Sequence, residues 1–499
     1  MNIRAAAVIG LGTMGAGIAE VLARGGLTVT AIEVDDATLA RGLAHLDQSL
    51  AKAVSRGKLT AGAKAEIAAR VRPASGLAAA ASADLVIEAV PERLDIKHQV
   101  LAELDRSCRP GAILATNTSA LSVGAIAEAA GQHPERVVGL HFFNPAPVMP
   151  LVEVITTVLT EPAVAAAVTG LAGQLGKRPV AVGDRAGFVA NALLLPYLNH
   201  AVTLLETGYA TREDTDTAAR AGLGLPMGPL ALLDLIGLDV ALPILEILHG
   251  ELGGSRRRPA PLLRRLVSAG LTGRKTGRGF YPYPPGGPAP SASVQTIDNA
   301  APGAGPAPVT VIGYDAGENI ALTKLIEAAG RQVTGLEAGR LVVVPVPAAG
   351  GVLAAALACG RPADAVGLHL VGETLAELVV SPLSSPAAIG AAAELAAALG
   401  RAPVRCPDRP GLLTGALLYP HLADAVQMVQ DGYASASDID TAMTAGCGYP
   451  RGPLRMLDDL GAGPVLAGLA AMQDSYGDPA FAPPPLLREH AAAALAFCG

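Results

Sequence analysis

Three side chains in the first third of the sequence have the right types and spacing to take a proton from an alcohol. His141 lies near the end of a strand-like run, VVGLHF, and Glu153 follows twelve residues later in a second apolar run, LVEVI. A histidine titrates near neutral pH, so it can accept a hydroxyl proton while hydride leaves the alcohol carbon. A carboxylate beside the ring would fix its tautomer and stabilise the imidazolium. With Ser119 holding the substrate oxygen, this set predicts alcohol oxidation if a hydride acceptor binds nearby.

A glycine-rich loop near the N-terminus predicts the site of that acceptor. Gly10, Gly12 and Gly15 form G-x-G-x-x-G between the apolar run RAAAVI and an amphipathic helical stretch. Such a loop lets the backbone approach a pyrophosphate, which then meets the N–H groups at the helix start. The next apolar run, LTVTAIE, ends at Glu33, 18 residues after the last glycine. Because this carboxylate can bind both ribose hydroxyls and would repel a 2′-phosphate, the pattern predicts NAD rather than NADP.

Further elements must position these groups. The runs ADLVIEAV, GAILAT and RVVGLHF alternate with helical stretches, which predicts a mainly parallel sheet between helices. From Gly187 the alternation gives way to long helical periods, which predicts an all-α domain. Ligands of open α/β sheets bind beyond the carboxyl ends of the strands, so the side chains found there should line one crevice. Those side chains are Glu92, Lys97, Asn117, Ser119, His141 and Asn144.

Eight ordered motifs carry a family resemblance: GLGTMG, DLVIEAVPE with Lys97, NTSALS, HFFNP, PLVEV, GFVANALLLPYLNHA, GLPMGPLALLDLIGLD and GRKTGRGFY. Together they resemble the 3-hydroxyacyl-CoA dehydrogenase family over residues 1–283. The resemblance implies reversible, NAD-dependent oxidation of a (3S)-hydroxyacyl-CoA to the 3-oxoacyl-CoA. The (3S) stereochemistry is implied by the family alone.

The resemblance also implies a role for each matching residue. His141 would be the catalytic base and Glu153 its orienting partner, while Ser119 would contact the substrate hydroxyl and the cofactor. Asn191, in GFVAN, would bind the substrate and support His141. The residues implied at the NAD site are Gly10, Gly12, Gly15, Glu33, Glu92, Lys97, Asn117, Ser119, Asn144 and Lys275.

Two helical positions match residues that contact coenzyme A in the family. They are Ser49 and Arg56, and a lysine often replaces the arginine in relatives. A solvated helix face is the alternative interpretation of this pair. The ribose acid also departs from the family, because relatives often carry aspartate where this chain has Glu33. Its longer side chain can still reach the ribose, so we expect the preference for NAD to hold.

The second half of the chain repeats part of the first. Residues 408–461 match 184–237 at a constant offset of 224, so that DRAGFVANALLLPYL becomes DRPGLLTGALLYPHL. Upstream the repeat is shorter, and Asp315 and Glu318 stand where the loop has glycines. Two carboxylates at that place would repel a pyrophosphate.

The repeat keeps counterparts of the base and its partner but loses the other site residues. His369 and Glu377 match His141 and Glu153, whereas Asn191 becomes Gly415. A base without a hydride acceptor cannot carry out this oxidation, so we predict one active site. The second helical part is expected to pack against the first as a built-in dimer half.

The predicted fold is an α/β Rossmann domain followed by an all-α helical domain, then a degenerate truncated Rossmann-like segment and a second helical domain. The predicted boundaries are 1–185 for the NAD-binding domain, 186–283 for the helical substrate and dimerisation domain, 284–307 for a Pro/Gly-rich linker, 308–406 for the degenerate segment and 407–499 for the second helical domain.

Composition excludes several classes of function. The net charge is −7 and no basic tract occurs, so neither nucleic acid nor an anionic membrane is an expected partner. Five scattered cysteines without a CxxC pair predict neither a disulfide framework nor a metal site, and they fit a cytoplasmic protein. The uncharged stretch 341–360 contains prolines and glycines, which favours a buried strand, a loop and a helix over a membrane span. The expected partners are an acyl-CoA substrate and either a homodimer or an intramolecular pseudo-dimer of helical domains.

The duplicated, 499-residue architecture narrows the expected substrate. It resembles the stand-alone members of the family from bacterial phenylacetate catabolism, which implies 3-hydroxyadipyl-CoA, although the sequence does not identify a basic residue for the distal carboxylate. Three alternatives remain: a general 3-hydroxybutyryl- or fatty acyl-CoA dehydrogenase of β-oxidation, a 3-hydroxy acid dehydrogenase with a lysine base, and a catalytically inactive binding or scaffold protein.

Overall fold

The computed structural model describes residues 3–284, 308–313, 315–346 and 351–499, which form two compact units. Unit 1 comprises Met1–Leu194, Gly250–Leu252 and Met428–Gly452, and unit 2 comprises Leu195–His249, Gly253–Gln427 and Pro453–Gly499. Apart from Pro284, the predicted linker 284–307 lies outside the described residues. Each unit therefore takes most of its residues from one half of the chain and some from the other.

The first sheet and its helices occupy residues 5–183. In chain order they are β1 (Ala5–Ile9), α1 (Thr13–Arg24), β2 (Thr28–Glu33), α2 (Asp36–Ser55), α3 (Ala61–Ala69), β3 (Val71–Ser75), β4 (Leu85–Glu88), α4 (Leu94–Ser107), β5 (Ile113–Thr116), α5 (Val123–Ala127), β6 (Val137–Phe142), β7 (Leu151–Thr156), α6 (Pro162–Gln174) and β8 (Arg178–Gly183). The eight strands lie in the order β3-β2-β1-β4-β5-β6-β7-β8.

The central strands of this sheet form because their residues are mostly apolar and buried on both faces, as in LVIE of β4 and ILAT of β5, whereas the edge strands β3 and β8 are partly exposed. All neighbouring strands are parallel except β6 and β7. The connection between β6 and β7 is too short for a crossover helix, so these two strands run antiparallel. The antiparallel arrangement places the end of the VVGLHF run directly opposite the start of the LVEVIT run.

Thirteen further α-helices and a second sheet complete the described chain. In chain order they are α7 (Ala190–Glu206), α8 (Arg212–Thr217), α9 (Pro229–Ile236), α10 (Leu238–Leu252), α11 (Pro261–Ser268), β9 (Val309–Val311), α12 (Ala316–Ala328), β10 (Leu341–Pro345), α13 (Val352–Ala358), β11 (Ala365–Val371), β12 (Leu375–Val380), α14 (Pro386–Ala398), β13 (Ala402–Pro407), α15 (Thr414–Gln430), α16 (Ala436–Cys447), α17 (Pro453–Leu460), α18 (Ala462–Tyr476) and α19 (Pro485–Ala493). Helices α12, α13 and α14 lie between strands of the second sheet, and α15 follows its last strand.

The second sheet has five strands in the order β13-β12-β11-β10-β9. As in the first sheet, only the pair β11 and β12 is antiparallel. By sequence match β9 corresponds to β1 and β10 to β5, and β9 pairs directly with β10. The described chain thus contains a Rossmann-like sheet with its helices, helical segments, and a second, smaller sheet.

One local expectation can be compared with these elements. The uncharged stretch 341–360 contains a buried strand and a helix, β10 and α13, as predicted, whereas the predicted loop between them falls largely on residues 347–350, outside the described residues. The apolar stretch 226–250 forms two helices, α9 and α10, because Gly237 adopts φ 100° between them. An α-helix cannot continue through that backbone conformation. In the part of the chain that is described, no helix combines the length and apolarity that crossing a membrane requires.

Candidate active site

The antiparallel pairing of β6 and β7 brings His141 and Glu153 together. They are direct cross-strand partners, and His141 Nδ1 lies 2.7 Å from Glu153 Oε2. Both side chains are buried, with exposures of 4% and 0%. A carboxylate can only accept this hydrogen bond, so Nδ1 carries the hydrogen and Nε2 is the nitrogen left to take a proton. The geometry therefore suits a general base whose tautomer is fixed by a carboxylate.

The second oxygen of Glu153 is held by backbone. Val189 N and Ala190 N both donate to Glu153 Oε1, each at 3.0 Å. These two N–H groups converge because the preceding residue, Phe188, adopts φ 51°, a left-handed conformation that is unfavourable for a bulky side chain. The Phe188 ring also lies 5.6 Å from the His141 ring. One turn thus orients the carboxylate and covers the imidazole.

Asn191 and Ser119 are also brought to this place. Asn191 is the second residue of α7, and its Nδ2 donates to the carbonyl of Ser119 at 3.1 Å. Ser119 N donates to Glu92 Oε1 at 2.8 Å, so the Ser119 loop is held from two sides. The Ser119 side chain stays partly exposed. Within unit 1 the structure therefore places His141 beside Glu153 and Asn191 beside Ser119, and the turn that binds Glu153 leads directly into Asn191.

Two more polar residues fix the loop that carries Ser119. Asn117 Oδ1 accepts from Phe142 N at 3.0 Å, which ties the loop to the strand of the base. Asp184, directly after β8, accepts from Ser122 Oγ at 2.6 Å and from the backbone N–H groups that begin α5. Asp184 was not predicted from the sequence. Its position beside the GFVAN motif, in DRAGFVAN, was the available signal.

Lys97 is fully buried and belongs to an ion-pair cluster at the carboxyl ends of β4 and β5. Its Nζ lies 2.9 Å from Glu88 Oε1, 3.5 Å from Glu92 Oε2 and 3.2 Å from the carbonyl of Asn117. Glu88 also accepts from Thr116 Oγ1 at 2.7 Å. Glu88 was missed in the sequence, although an acidic residue at the end of an apolar strand was a signal. In this structure the Lys97 ammonium contacts protein acceptors that support the Ser119 loop.

The glycine-rich loop fits a dinucleotide. Gly10 has φ 85°, and a Cβ there would meet Ala89 O at 2.9 Å, while a Cβ on Gly15 would lie 1.7 Å from Gly10 O. A Cβ on Gly12 would meet nothing within 4 Å, so the backbone at this position is open to a closely approaching group. Gly12 also precedes α1 without any side-chain cap, which leaves the helix N–H groups available to phosphate. Glu33 ends β2 beside this loop, where its Oε1 accepts from Leu11 N at 2.5 Å.

Ser49 and Arg56 line a cleft between α1, α2 and the loop after β6. Its volume is about 560 Å³, and Asn144 contributes to the opposite wall. Of its basic residues, only Arg56 was predicted from the sequence. The cleft is also lined by Arg24, Lys52 and Lys58, by His45, and by the acidic Glu20, which pairs with Arg24. Such a surface suits the phosphates of a nucleotide-bearing thioester.

Lys177 fixes the loop after β6, which lines this cleft. Its Nζ donates to the carbonyls of Ala146 and Met149, at 2.5 Å and 2.8 Å. Burial, together with the positive charge of Arg24, lowers the pKa of Lys177 below its usual value. The loop that carries Asn144 is therefore held by the side chain of the residue directly before β8.

Lys275 belongs to unit 2, where its Nζ pairs with Asp239 Oδ2 at 2.6 Å. Its side chain is about half exposed. The contact of Lys275 with the cofactor stays a prediction from the family resemblance.

The second sheet repeats the histidine–glutamate pair. His369 Nδ1 lies 2.6 Å from Glu377 Oε2, and the two residues are cross-strand partners on β11 and β12. Glu377 Oε1 accepts from Leu413 N and Thr414 N at 3.0 Å and 2.6 Å. The cofactor loop differs, since Asp315 Oδ1 accepts from Glu318 N at 2.8 Å and so caps α12 with its own carboxylate. That carboxylate lies where a phosphate would meet the helix start.

Comparison with protein families gives two matches. Residues 5–185 match the model described as 3-hydroxyacyl-CoA dehydrogenase, NAD binding domain. Residues 187–283 and 411–495 both match 3-hydroxyacyl-CoA dehydrogenase, C-terminal domain. The helical segment of the family is therefore present twice, while the NAD-binding model matches once.

Individual proteins show the same similarity. The chain is 36% identical to the 3-hydroxyadipyl-CoA dehydrogenase of Escherichia coli K12 over 492 residues, 98% of each chain. It is 46% identical to a 3-hydroxybutyryl-CoA dehydrogenase of Mycobacterium tuberculosis over 283 residues, which are 56% of this chain and 99% of that protein. A crystal structure of a 3-hydroxybutyryl-CoA dehydrogenase from Escherichia coli K12 superimposes with a TM-score of 0.81 at 32% identity, covering 99% of both chains.

Proposed function

This chain belongs to the 3-hydroxyacyl-CoA dehydrogenase family, and on that premise we propose that its first-half site oxidises 3-hydroxyacyl-CoA to 3-oxoacyl-CoA with NAD. The observation that carries the proposal is the buried His141–Glu153 pair. It belongs to the same sheet as the strand that leads into the glycine-rich loop. The open backbone at Gly12 and the uncapped start of α1 support NAD as the cofactor. When bound, NAD supplies the acceptor for the hydride that leaves the hydroxyl-bearing carbon.

The residues of the crevice then have distinct tasks. His141 Nε2 takes the proton of the substrate hydroxyl, and Glu153 stabilises the imidazolium that forms. Ser119 and Asn191 hold the substrate oxygen, and the hydrogen bond from Asn191 to the Ser119 carbonyl keeps the two groups in register. Glu92, Asn117 and Lys97 support the loop from below. Since the base and its partner are buried, the transferred proton is shielded from bulk water.

The substrate class follows from the basic cleft and from the relatives. The cations around Ser49 and Arg56 support a coenzyme A thioester, whose nucleotide carries the negative charge. The name of the full-length Escherichia coli relative supports 3-hydroxyadipyl-CoA as the acyl group. A four-carbon substrate is the second candidate, because two relatives, one of them of full length, carry the 3-hydroxybutyryl name. The cytoplasm, inferred from the cysteine pattern, stays the predicted location.

The second half is proposed to be a degenerate copy with a structural task. The carboxylate of Asp315 at the start of α12 and the replacement of Asn191 by Gly415 support the loss of cofactor and substrate binding. Contacts between α7 and α15 inside unit 2, such as His200 Nε2 to the Ala416 carbonyl at 3.1 Å, support an intramolecular pseudo-dimer of helical segments.

The test is NADH consumption with a panel of 3-oxoacyl-CoA substrates that includes acetoacetyl-CoA and 3-oxoadipyl-CoA. We expect turnover of both, with the higher kcat/KM for the dicarboxylic substrate. His141→Ala should remove the activity, whereas the matched His369→Ala should keep it. No NADH oxidation with any substrate would refute the enzyme, and full activity of His141→Ala would favour a lysine-base dehydrogenase instead.

A further inference from the structure

The two halves of the chain make reciprocal contacts that recur at the sequence offset of 224. In unit 1, the Arg185 guanidinium lies 5.1 Å from the centre of the Tyr433 ring. In unit 2, the guanidinium of Arg409 lies 5.9 Å from the ring of Tyr209. The offset of 224 relates Arg185 to Arg409 and Tyr209 to Tyr433. Each half therefore supplies a tyrosine that contacts an arginine of the other half.

The packing of the helices follows the same rule. Helix α16, from the second half, packs on β7 and β8, and α8 with the turn after it packs on β12 and β13. Glycines allow the close approach: a Cβ on Gly446 would lie 2.4 Å from Leu151, and one on Gly222 would lie 2.7 Å from Leu375. Because Leu151 is two residues from Glu153, α16 lies against the strand that carries the catalytic carboxylate.

The contacts in unit 1 reach the catalytic residues through one short connector, which we define as residues 183–191. Tyr433 Oη donates to the Gly183 carbonyl at 2.9 Å, and Arg185 Nη1 pairs with Asp431 Oδ2 at 3.2 Å. Further along the same connector lie the backbone N–H groups that bind Glu153, and the amide of Asn191 that binds the Ser119 carbonyl. The connector therefore joins the second half to three parts of the active site.

We propose that Tyr433, with Asp431, is a positioning residue of the first-half active site, acting through the connector 183–191. This inference rests on the proposed function. Tyr433 anchors the start of the connector, so that Asp184 holds the Ser119 loop and the turn at Phe188 delivers its N–H groups to Glu153. The second half thus contributes to catalysis without a reaction of its own.

The degenerate half provides a matched control. Tyr209 Oη donates to the Leu412 carbonyl at 2.5 Å, within the corresponding connector of the second sheet. That connector binds Glu377, which is not part of the proposed catalytic site. Tyr209→Phe therefore removes a tyrosine–carbonyl hydrogen bond to the corresponding connector, residues 407–415, away from the proposed catalytic residues. The carbonyl differs, because Leu412 matches Phe188 rather than Gly183 at the offset of 224.

The experiment compares Tyr433→Phe with Tyr209→Phe in the full-length protein. We expect Tyr433→Phe to lower kcat by about 5–20-fold, because a small displacement of His141 and Glu153 slows the chemical step. KM for NADH and for the acyl-CoA should change little. Both variants should lower the melting temperature by a similar amount, but Tyr209→Phe should leave kcat unchanged. Equal kcat losses in both variants, or none in Tyr433→Phe, would overturn the proposal.

A second pair and a mutant cycle separate positioning from folding. Arg185→Gln and Arg409→Gln should show the same asymmetry in kcat, which keeps the test decisive if a tyrosine variant folds poorly. Adding Tyr433→Phe to Glu153→Gln should lower kcat less than adding it to the wild type, because both changes act on the same carboxylate. Strictly additive losses would contradict the proposed route. An inactive wild-type protein would refute the proposed function itself, whereas an active one with unaffected variants would refute only the positioning role.

Discussion

His141 and Glu153 face each other across β6 and β7, with Nδ1 and Oε2 2.7 Å apart and the other carboxylate oxygen bound to two backbone N–H groups. The backbone thus fixes the oxygen that faces away from the base, and with it the orientation of the whole carboxylate. A buried carboxylate held in this way has one orientation available, and the imidazole must follow it. The catalytic tautomer of His141 is set by the fold rather than by solvent.

Glu153→Gln should abolish most activity without unfolding the protein. The amide oxygen can still accept from Val189 N and Ala190 N, which places the NH₂ group toward His141 Nδ1. The ring must then accept there and carry its hydrogen on Nε2, so the base is lost. We expect kcat to fall by about 10³–10⁴-fold, as for an equivalent change in a catalytic triad. Stopped-flow or steady-state NADH absorbance measures this loss.

Glu377→Gln is the matched control for that substitution, because Glu377 has the same backbone partners in the second sheet. It should leave kcat unchanged. A comparable loss in this variant would mean that the second pair takes part in the reaction or that both substitutions act through global stability.

Lys97→Met should be strongly destabilising, since it leaves Glu88 buried and without its cation. Removing one partner of a buried ion pair typically costs about 3–5 kcal/mol. The double variant Lys97→Met, Glu88→Gln removes both charges and should recover most of that loss. Urea unfolding followed by far-UV circular dichroism tests this. Equal midpoints for the single and double variants would show that the charge on Glu88 is not the cause.

The pairing of the catalytic residues could be predicted from sequence, but what holds them could not. Two apolar runs joined by a short segment predict neighbouring strands, and this places His141 beside Glu153. The backbone cap of Glu153 depends on φ 51° at Phe188, and phenylalanine does not favour that conformation. The burial of Lys97 against Glu88 likewise contradicts the usual exposure of lysine, so composition alone could not predict it.

Only part of the contribution of the second half could be predicted from the sequence. The repeat at offset 224 predicted that two helical segments pack together. It did not predict that Tyr433 bonds to the Gly183 carbonyl, because the two residues are 250 positions apart and neither belongs to a chemical motif. Long-range packing of this kind follows from the three-dimensional arrangement of the repeats, which a linear offset does not specify.

Lys52→Ala and Lys58→Ala test the basic cleft around Ser49. Each should raise KM for the acyl-CoA by about fivefold, corresponding to ~1 kcal/mol for one exposed charge on a phosphate, and leave kcat unchanged. The effect should shrink at high salt. A thioester that lacks the nucleotide part of coenzyme A should show no difference between variant and wild type.

Lys64→Ala is the control for this pair of variants. Lys64 pairs with Asp47 Oδ1 at 2.6 Å, and it is absent from the residues that line the described cleft. It should leave KM unchanged. If all three lysine variants raise KM equally, the effect reflects net charge, and the cleft would lose its support as the nucleotide site.

His200 should make unit 2 sensitive to acid. Its ring is buried, and burial together with Arg256 lowers the pKa of His200 to about 4, from an ordinary 6.5. The unfolded chain therefore binds the proton first, so the stability that neutral His200 contributes is complete above about pH 6.5 and is lost as the pH falls toward about 4. A shift of this size corresponds to roughly 3 kcal/mol.

His200→Gln keeps a donor for the Ala416 carbonyl but cannot titrate. The urea midpoint of this variant should fall less between about pH 7 and about pH 4.5 than that of the wild type. An unchanged slope in His200→Gln would show that other groups cause the acid sensitivity.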